Sequence, residues 1–288
     1  MIAERLAPAK VNLFLHVGPV QPDGYHPLAS WAAFADIGDR LTLEPAARWS
    51  FETTGRFGEE IAGENLVERA LRALFERLEA APPPMKLTLE KTLPVAAGLG
   101  GGTSDATAAL RLVNAALSDR AAEAVLEEIA AGLGADGPVC LTGVATIMQG
   151  RGERLSPAPS TPPLPVVLLN PGAPAPTGAV YRAYDGAGVP GGADLPALPQ
   201  ALESVEAVVA ALGPCRNDLE TPAISVAPAV AEALALARSA PETLLARMSG
   251  SGATVFVLCA NDVGARSLAL RLSGARPSWW VAAGRLSG

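Results

Sequence analysis

A glycine-rich segment in the middle of the chain is the part of this sequence with the clearest chemistry. Residues 93–105 read Leu-Pro-Val-Ala-Ala-Gly-Leu-Gly-Gly-Gly-Thr-Ser-Asp and stand directly before a predicted helix. Glycines let backbone amides approach an anion, and a helix start supplies unpaired N–H groups with a partial positive charge. The segment therefore predicts a phosphate-binding loop. The alternative is a plain connector in which Thr103 or Ser104 caps the helix.

Two familiar phosphate-binding motifs are absent from this segment. No Gly-Lys-Ser/Thr sequence closes a P-loop, and the glycine spacing does not match the dinucleotide-binding fingerprint. Asp105 directly follows the loop, where a negative charge beside an anion site has no simple electrostatic explanation. The alternatives for its partner are a metal or an arginine.

Two further segments carry polar residues that could share a site. Lys10 and Asn12 stand two residues apart in a strand-like stretch, so both side chains point to the same face. Asp136 lies in a tight turn between apolar flanks, in the sequence Leu-Gly-Ala-Asp-Gly-Pro-Val. Taken singly, a strand lysine is usually a solvated surface residue, and such an aspartate is usually an ordinary turn residue.

The elements that must position these residues follow from the periodicity of the apolar positions. Strand-like patterns cover 10–17, 41–44 and 85–90, and helix-like patterns cover 67–78 and 106–117 on either side of 85–90. Three prolines, Pro82 to Pro84, end the first of these helices. Later, helices are predicted near 121–131, 202–212 and 230–238, and strands near 145–148, 166–169, 244–248 and 254–258, with a loose region at 172–199.

The length and the distribution of proline predict two domains. A chain of 288 residues is long for one core and comfortable for two. Residues 156–165 are dense in Pro, Ser and Ala, so we place the boundary there, with domains 1–158 and 159–288. Helix and strand are mixed without clean alternation in the second half, which suggests an α+β class.

The composition excludes several classes of protein. The net charge is −7, which argues against general nucleic-acid binding, since that depends on clustered positive charge. No apolar run approaches the roughly 18 residues of a membrane-spanning helix. The amino terminus does not read as a signal peptide, and Cys140, Cys215 and Cys259 suit reduced core thiols better than disulfides or a metal site. We therefore expect a cytoplasmic protein without a protein metal site, and no obligate protein partner is evident.

Taken together, the segments resemble the signatures of the cytidyl-erythritol kinases, in the galactokinase, homoserine kinase and mevalonate kinase superfamily. The resemblance covers most of the chain and includes Asp-Gly-Tyr-His at 23–26, Glu-Asn-Leu-Val at 64–67 and Met-Ser-Gly-Ser-Gly-Ala at 248–253. Ala96 and Ala97 stand where these kinases often have glycine, and Thr103 replaces a frequent serine. Gly137 replaces a usual valine or other apolar residue, and we expect it to loosen the turn.

The resemblance assigns roles to individual residues. It implies that Lys10 and Asp136 are the catalytic pair and that Asn12, Tyr25, His26 and Tyr181 bind the substrate. It also implies an ATP-binding loop formed by Pro94, Val95, Ala96, Ala97, Gly98, Leu99, Gly100, Gly101, Gly102, Thr103 and Ser104. For the fold, it implies an amino-terminal ribosomal-protein-like βαβ domain and a carboxy-terminal ferredoxin-like domain that completes the substrate cleft.

The implied reaction is phosphoryl transfer from ATP to the 2-hydroxyl of a methylerythritol that carries a cytidine diphosphate group. This step belongs to the non-mevalonate route to isoprenoid precursors. Asp136 can accept or align the hydroxyl proton, and a nearby Lys10 cation keeps the carboxylate ionised and stabilises the transferred group. Mg²⁺ is expected with ATP, held mainly by phosphate oxygens and water with Ser104 as a candidate ligand, because no paired carboxylates mark a protein cage.

Tyr25 and His26 distinguish this substrate from those of other superfamily members. An aromatic face and a hydrogen-bonding ring suit a cytosine, and Tyr181 resembles the family's second aromatic residue, on the other side of the base. One alternative is a superfamily kinase acting on mevalonate or a related alcohol. Another is a member that binds nucleotide without catalysis, as a regulator or structural protein.

Overall fold

The computed structural model describes residues 2–61, 63–188 and 191–287. They group into two compact units, each drawn from separate segments: the first unit is Met1–Ala9, Gly38–Val95 and Gly100–Gly143, and the second is Lys10–Ile37, Ala96–Leu99 and Val144–Gly288. The division of the chain into successive domains at 158/159 stays a prediction.

The described residues form ten strands, nine α-helices and one 3₁₀ turn at Gly58–Glu60. The strands are β1 (Ala3–Val17), β2 (Leu28–Pro45), β3 (Ser50–Thr54), β4 (Met85–Glu90), β5 (Thr146–Gly150), β6 (Arg154–Pro157), β7 (Leu164–Asn170), β8 (Thr243–Met248), β9 (Val255–Cys259) and β10 (Trp280–Ser287). The helices are α1 (Leu66–Arg77), α2 (Gly101–Ala116), α3 (Glu123–Leu133), α4 (Gly137–Thr142), α5 (Thr177–Gly186), α6 (Val205–Leu212), α7 (Glu220–Val226), α8 (Ala229–Ser239) and α9 (Asp262–Ala275).

The first unit packs helices against a small sheet. The final residues of β2 pair antiparallel with β4, and β4 pairs parallel with β3, which α1 connects to it. Alternating leucines fill the space between sheet and helices, because one face of each strand points inward. These are Leu41 and Leu43 of β2 and Leu87 and Leu89 of β4, and all four are buried.

The predicted helix after residue 66 is confirmed as α1. Its apolar stripe, Val67, Ala70, Leu71, Leu74 and Phe75, is buried, since residues three and four apart share one helix face. The Asn65 side chain accepts a hydrogen bond from the Val67 N–H and caps the first turn. Helix α1 thereby begins at a defined residue.

The second unit surrounds the buried strand β7. Every residue of β7 is buried, and it pairs antiparallel with β10 on one side and β9 on the other. Strand β8 continues beyond β9, and β10 reaches β2 through Leu286 opposite Ala35. The first part of β2 also pairs with β5, which pairs with β6.

Several elements of the second unit lie where the sequence indicated none. Helix α5 occupies part of the predicted loose region, and α7, α9 and β10 were not predicted. Helix α9 buries only Ala265, Leu268 and Leu272, so its apolar stripe is narrow. Among the described residues, none of the helices combines the length and apolar character needed to span a bilayer.

Gly137 corrects one expectation from the sequence. It begins α4 and is buried, and a Cβ atom at this position would lie 1.8 Å from the Ala130 carbonyl oxygen of α3. No side chain can occupy that space without moving α3 or α4. The expectation that glycine loosens this turn is therefore wrong, because here glycine permits a close approach of two helices.

We expect Gly137→Val to lower the free energy of unfolding by more than about 3 kcal/mol, because the new side chain overlaps backbone. Gly132→Ala in α3 is the matched control. A Cβ at Gly132 meets nothing within 4 Å, so this change should raise stability by about 0.5 to 1 kcal/mol. Chemical denaturation of both variants measures the difference. A Gly137→Val protein of wild-type stability would contradict the close approach.

Candidate active site

Lys10 and Asn12 meet on the part of β1 that belongs to the second unit. Lys10 Nζ donates to Asn12 Oδ1 over 3.0 Å, and the two residues are 5% and 4% exposed. Asn12 Nδ2 donates in turn to Ser30 Oγ over 2.7 Å. The same-face placement predicted from the strand period is confirmed. The alternative that Lys10 is a solvated surface residue is wrong.

The middle of the glycine loop is held by its carbonyl groups. Three consecutive carbonyls accept hydrogen bonds: Ala97 from the Thr254 N–H at 3.1 Å, Gly98 from Ser249 Oγ at 2.9 Å and Leu99 from the Lys10 N–H at 2.8 Å. In a trans peptide the C=O and the following N–H point in opposite directions. The amides that follow these carbonyls, those of residues 98, 99 and 100, therefore point away from the groups that hold the loop.

Positive φ angles alternate along this loop. Ala96, Gly98 and Gly100 have φ values of 51°, 75° and 63°, and such alternation brings successive N–H groups into an anion-binding concavity. A Cβ at Gly98 would lie 2.4 Å from the Ser249 carbonyl oxygen, so only glycine fits there. Ala96 adopts the left-handed conformation at a cost of roughly 1 to 2 kcal/mol. Having alanine at position 96, where these kinases often have glycine, therefore adds backbone strain to the loop.

Helix α2 begins at the end of the loop without a side-chain cap. Gly100 is its N-cap residue, and Thr103 and Ser104 lie inside the helix. Ser104 Oγ donates to the Pro8 carbonyl oxygen at 2.7 Å. The alternative in which Thr103 or Ser104 caps the helix is therefore wrong. The first N–H groups of an α-helix have no partner within it, so this terminus suits an anionic ligand.

Asp136 occupies the N-cap position of the short helix α4 in the first unit. Its carbonyl oxygen accepts from the Cys140 N–H at 3.0 Å, and its carboxylate makes no capping bond. Pro138 stands in the first turn, where a missing N–H costs no helical hydrogen bond. Asp136 belongs to the first unit and Lys10 to the second.

The predicted substrate-binding rings differ in exposure, since His26 is buried beside Tyr181 and Tyr25 is exposed. His26 is 9% exposed, and its ring lies 5.0 Å from the ring of Tyr181. His26 Nδ1 contacts the Gly18 carbonyl oxygen at 2.9 Å, so Nδ1 donates, because a carbonyl only accepts. His26 Nε2 lies 3.4 Å from Asp185 Oδ1. The structure thus brings His26 and Tyr181 together.

Tyr25 is 58% exposed, in contrast to its neighbour His26. The Arg151 guanidinium lies 4.6 Å from the centre of the Tyr25 ring and covers one face. Asp23 joins these two residues, since its carboxylate accepts from the Tyr25 N–H at 2.9 Å and pairs with Arg151. The Tyr25 N–H and the Arg151 cation both lower the pKa of Asp23. Sequence reasoning identified neither Arg151 nor Asp185.

Asp105 faces Lys91 in a buried cluster that the sequence did not indicate. Asp105 Oδ2 accepts from Lys91 Nζ at 2.7 Å, so a lysine rather than an arginine pairs with it. Lys91 also pairs with Asp39. Burial raises the pKa of Asp105 well above its usual range, and the Lys91 cation only partly opposes this.

Comparison with known proteins adds the family. Residues 65–144 match the model of the GHMP kinases N terminal domain, and residues 200–277 match that of the GHMP kinases C terminal domain. A protein named 4-diphosphocytidyl-2-C-methyl-D-erythritol kinase from Caulobacter vibrioides is 56% identical over 98% of this chain and 98% of its own. A protein of the same name from Hyphomonas neptunium is 46% identical over 97% of this chain and 95% of its own.

A solved structure agrees with these relatives. It is described as a crystal structure of 4-(cytidine 5'-diphospho)-2C-methyl-D-erythritol kinase, with 38% identity and a TM-score of 0.79 over 99% of this chain and 100% of that one. The chain belongs to the 4-diphosphocytidyl-2-C-methyl-D-erythritol kinase family.

Membership of this kinase family confirms the resemblance stated from the sequence. The two matched family models and the solved structure also confirm a mixed α and β fold with an amino-terminal and a carboxy-terminal kinase domain. Ser249 helps to position the site, although the sequence analysis named it only within the Met-Ser-Gly-Ser-Gly-Ala segment of the family resemblance. Its hydroxyl accepts from the Asn12 N–H at 3.1 Å and donates to the Gly98 carbonyl, so it joins β1 to the loop.

Proposed function

We propose that this protein transfers the terminal phosphoryl group of ATP to the 2-hydroxyl of 4-diphosphocytidyl-2-C-methyl-D-erythritol. The observation that carries the proposal is the loop from Ala96 to Gly100, which ends at the uncapped start of α2 in a chain of this kinase family. The product is the 2-phosphate of that alcohol, in the non-mevalonate route to isoprenoid precursors.

The backbone of the loop suits the phosphates of a nucleoside triphosphate. The amides of residues 98, 99 and 100 point away from the protein groups that hold the preceding carbonyls, and the first turn of α2 adds further N–H groups. We assign Pro94 to Ser104 to this site as the sequence predicted. Within that span Gly98, Gly100 and Ala96 shape the backbone, and Ser104 supports it by binding the Pro8 carbonyl.

Magnesium is proposed as the metal that accompanies ATP. When bound to the phosphates, it would neutralise part of the charge that develops during transfer. Ser104 is the candidate ligand named from the sequence, and its hydroxyl keeps lone pairs while donating to Pro8. Ser104 is 1% exposed, however, and Asp105 is engaged with Lys91. We therefore propose that phosphate oxygens and water supply most of the ligands.

Lys10 and Asp136 are proposed as the catalytic residues. The Asp136 carboxylate, at the start of α4, would accept or orient the proton of the acceptor hydroxyl. Lys10 is held by Asn12 on a buried strand, which keeps its ammonium group in one place. A fixed cation of this kind stabilises negative charge on a transferred phosphoryl group. Phosphoryl transfer needs little proton removal early in the reaction, so orientation is the larger part of the Asp136 role.

Asn12, Tyr25, His26 and Tyr181 are proposed to bind the substrate. The exposed face of Tyr25 that Arg151 leaves open can stack on a cytosine, and Arg151 steadies the ring from behind. His26 and Tyr181 form a second aromatic group, in which His26 Nε2 faces the half-exposed carboxylate of Asp185. The edge of a bound cytosine would replace the contact between His26 Nε2 and Asp185, or share it.

The finer fold description also remains a proposal. The parallel pairing of β3 and β4 through α1 supports a βαβ domain of the ribosomal-protein type in the amino-terminal half. The antiparallel strands β7 to β10 with α8 and α9 support a ferredoxin-like carboxy-terminal half. The matched family models fall on either side of the boundary proposed at 158/159. The cytoplasmic location and action without a protein partner are proposed from the sequence.

We expect Gly102→Asp to weaken ATP binding by at least about thirtyfold, because the new carboxylate stands in the first turn of α2 beside the phosphates. A Cβ at Gly102 would meet only Leu66 Cδ1 at 3.5 Å, so the variant should fold. Its charge also suits a helix N-terminus. Gly102→Asn is the neutral control and should bind ATP nearly as wild type. Calorimetry measures the ATP affinity of both variants. Equal affinity of the two would show that the loop is a plain connector and does not bind the phosphates.

Asp136→Asn should reduce kcat by on the order of 10²- to 10⁴-fold while leaving ATP affinity nearly unchanged, because it keeps the shape and removes the charge. Asp119→Asn, at an exposed carboxylate of the same unit, is the control and should retain activity. Steady-state kinetics with ATP and the cytidyl substrate measures the effect. If the kcat of Asp136→Asn lay within a few-fold of the wild-type value, the proposed catalytic role of Asp136 would be wrong.

A substrate panel tests the function itself. Wild-type protein with ATP and Mg²⁺ should phosphorylate the cytidyl-linked methylerythritol in preference to its uridyl analogue, mevalonate and homoserine. Tyr25→Ala should lower kcat/KM for the cytidyl substrate by about tenfold or more, and Tyr25→Phe should retain it, since stacking needs only the ring. Tyr181→Ala should act in the same direction, and His26→Ala should reduce discrimination between cytosine and uracil.

The outcomes of the panel separate the alternatives. Preference for mevalonate or homoserine would identify another superfamily kinase, and ATP binding without product on any alcohol would indicate a non-catalytic member. Equal use of the cytidyl and uridyl substrates would refute the cytosine site while leaving the kinase assignment in place.

A further inference from the structure

Asp39, Lys91 and Asp105 form a buried cluster of ionisable groups beside the loop. Their side chains are 0%, 4% and 3% exposed. Lys91 Nζ donates to Asp39 Oδ2 and, over 2.7 Å, to Asp105 Oδ2. All three residues belong to the first unit. None of them has a part in the phosphoryl transfer proposed above.

The cluster contacts the backbone where the loop begins. Asp39 Oδ1 accepts from the Thr92 N–H at 2.6 Å and from the Leu93 N–H at 2.8 Å. These residues directly precede Pro94, the first residue of the proposed ATP loop. One carboxylate therefore holds two successive amides at the start of the loop and pairs with Lys91 through its other oxygen.

The same cluster contacts the chain where the loop ends. Asp105 lies at the end of the first turn of α2, and its carboxylate binds the ammonium group that Asp39 also binds. Gly101 begins that helix, and a Cβ there would lie 3.6 Å from Lys91 Nζ and 3.8 Å from Asp39 Oδ2. The ammonium group of Lys91 thus links the start of the loop to its end within one unit.

The energetics of the cluster favour a role other than stability. Removing ionised groups from water is costly, and apolar side chains of similar size are often at least as stabilising. Asp105 Oδ1 adds to this cost, because it is buried and has no hydrogen-bond partner among the described residues. Burial alone would lower the pKa of Lys91, yet Asp105 and Asp39 together raise it, so the lysine stays charged. The directed hydrogen bonds of Lys91 to Asp39 and Asp105 instead fix the position of α2 relative to the start of the loop.

We propose that Asp105 is a positioning residue for ATP, which acts through Lys91 and Asp39 to hold the two ends of the glycine loop in register. The inference rests on the proposed ATP-binding function of that loop. Asp105 touches neither the phosphates nor the alcohol in this assignment. It sets where the first turn of α2 stands relative to residues 92–93, and so where the N–H groups at both ends of the loop point.

The experiment compares Asp105→Leu with Asn114→Leu. Asn114 lies in the same helix, is 8% exposed, and binds the backbone of Ala121 with both its amide oxygen and its amide nitrogen. Both variants replace a buried polar side chain by an apolar one of similar size. Each is measured for thermal unfolding, for the Kd of a non-hydrolysable ATP analogue with Mg²⁺, and for the KM of the cytidyl substrate.

Asp105→Leu should raise the Kd of the ATP analogue by about tenfold to a hundredfold, the usual effect of losing a hydrogen bond to a charged group. The KM of the cytidyl substrate should stay within about twofold, because the proposed substrate-binding residues do not include the loop ends. Asn114→Leu should lower the unfolding temperature without changing the Kd. Asp105→Asn keeps an oxygen for Lys91 and should restore the Kd to within about threefold of wild type.

A folded Asp105→Leu protein with the wild-type Kd would overturn the inference, as would equal weakening by Asn114→Leu. If Asp105→Leu does not fold, Asp105→Ala, which leaves room for a water beside Lys91, carries the same expectation. Gly102→Asp separates the two proposals. If it binds the analogue as well as Gly102→Asn, the loop assignment fails and this inference fails with it. If it loses binding while the Asp105 variants keep it, only the positioning role fails.

Discussion

The site depends on how the backbone of the glycine loop satisfies its own hydrogen bonds. A segment that offers its amides to an anion must still satisfy its carbonyls, since a buried unpaired carbonyl is costly. Residues 97, 98 and 99 do so with partners from β1, from Ser249 and from Thr254. Because a trans peptide directs its N–H opposite to its C=O, fixing these carbonyls also fixes the direction of the amides.

Glycine serves two separate purposes in this chain. In the loop, Gly98 and Gly100 supply positive φ angles, and Gly98 also lies against the Ser249 backbone. Gly137, in contrast, has no special φ angle and is required because α3 and α4 approach one another at Ala130. The first use belongs to the proposed ATP-binding loop, and the second concerns the placement of Asp136. Counting glycines near a candidate site does not distinguish them.

Charge is buried in two ways around the loop. Lys10 Nζ donates to the amide oxygen of Asn12. Lys91 Nζ is held by two buried carboxyl groups, those of Asp39 and Asp105. The two lysines are similarly exposed, at 5% and 3%, so burial alone does not assign their roles.

The amino-acid sequence was sufficient to predict the elements with strong periodicity, such as α1 and β4, and the same-face placement of Lys10 and Asn12. These features depend on neighbours within a few residues, where apolar spacing and strand period are sufficient. It did not predict α9 or β10, because their burial is decided by strands and helices far along the chain. The Asp39–Lys91 pair joins residues 52 positions apart, and Ser249 meets Gly98 across 151. The tertiary fold sets these partners, because no local pattern indicates which distant group a polar side chain will meet.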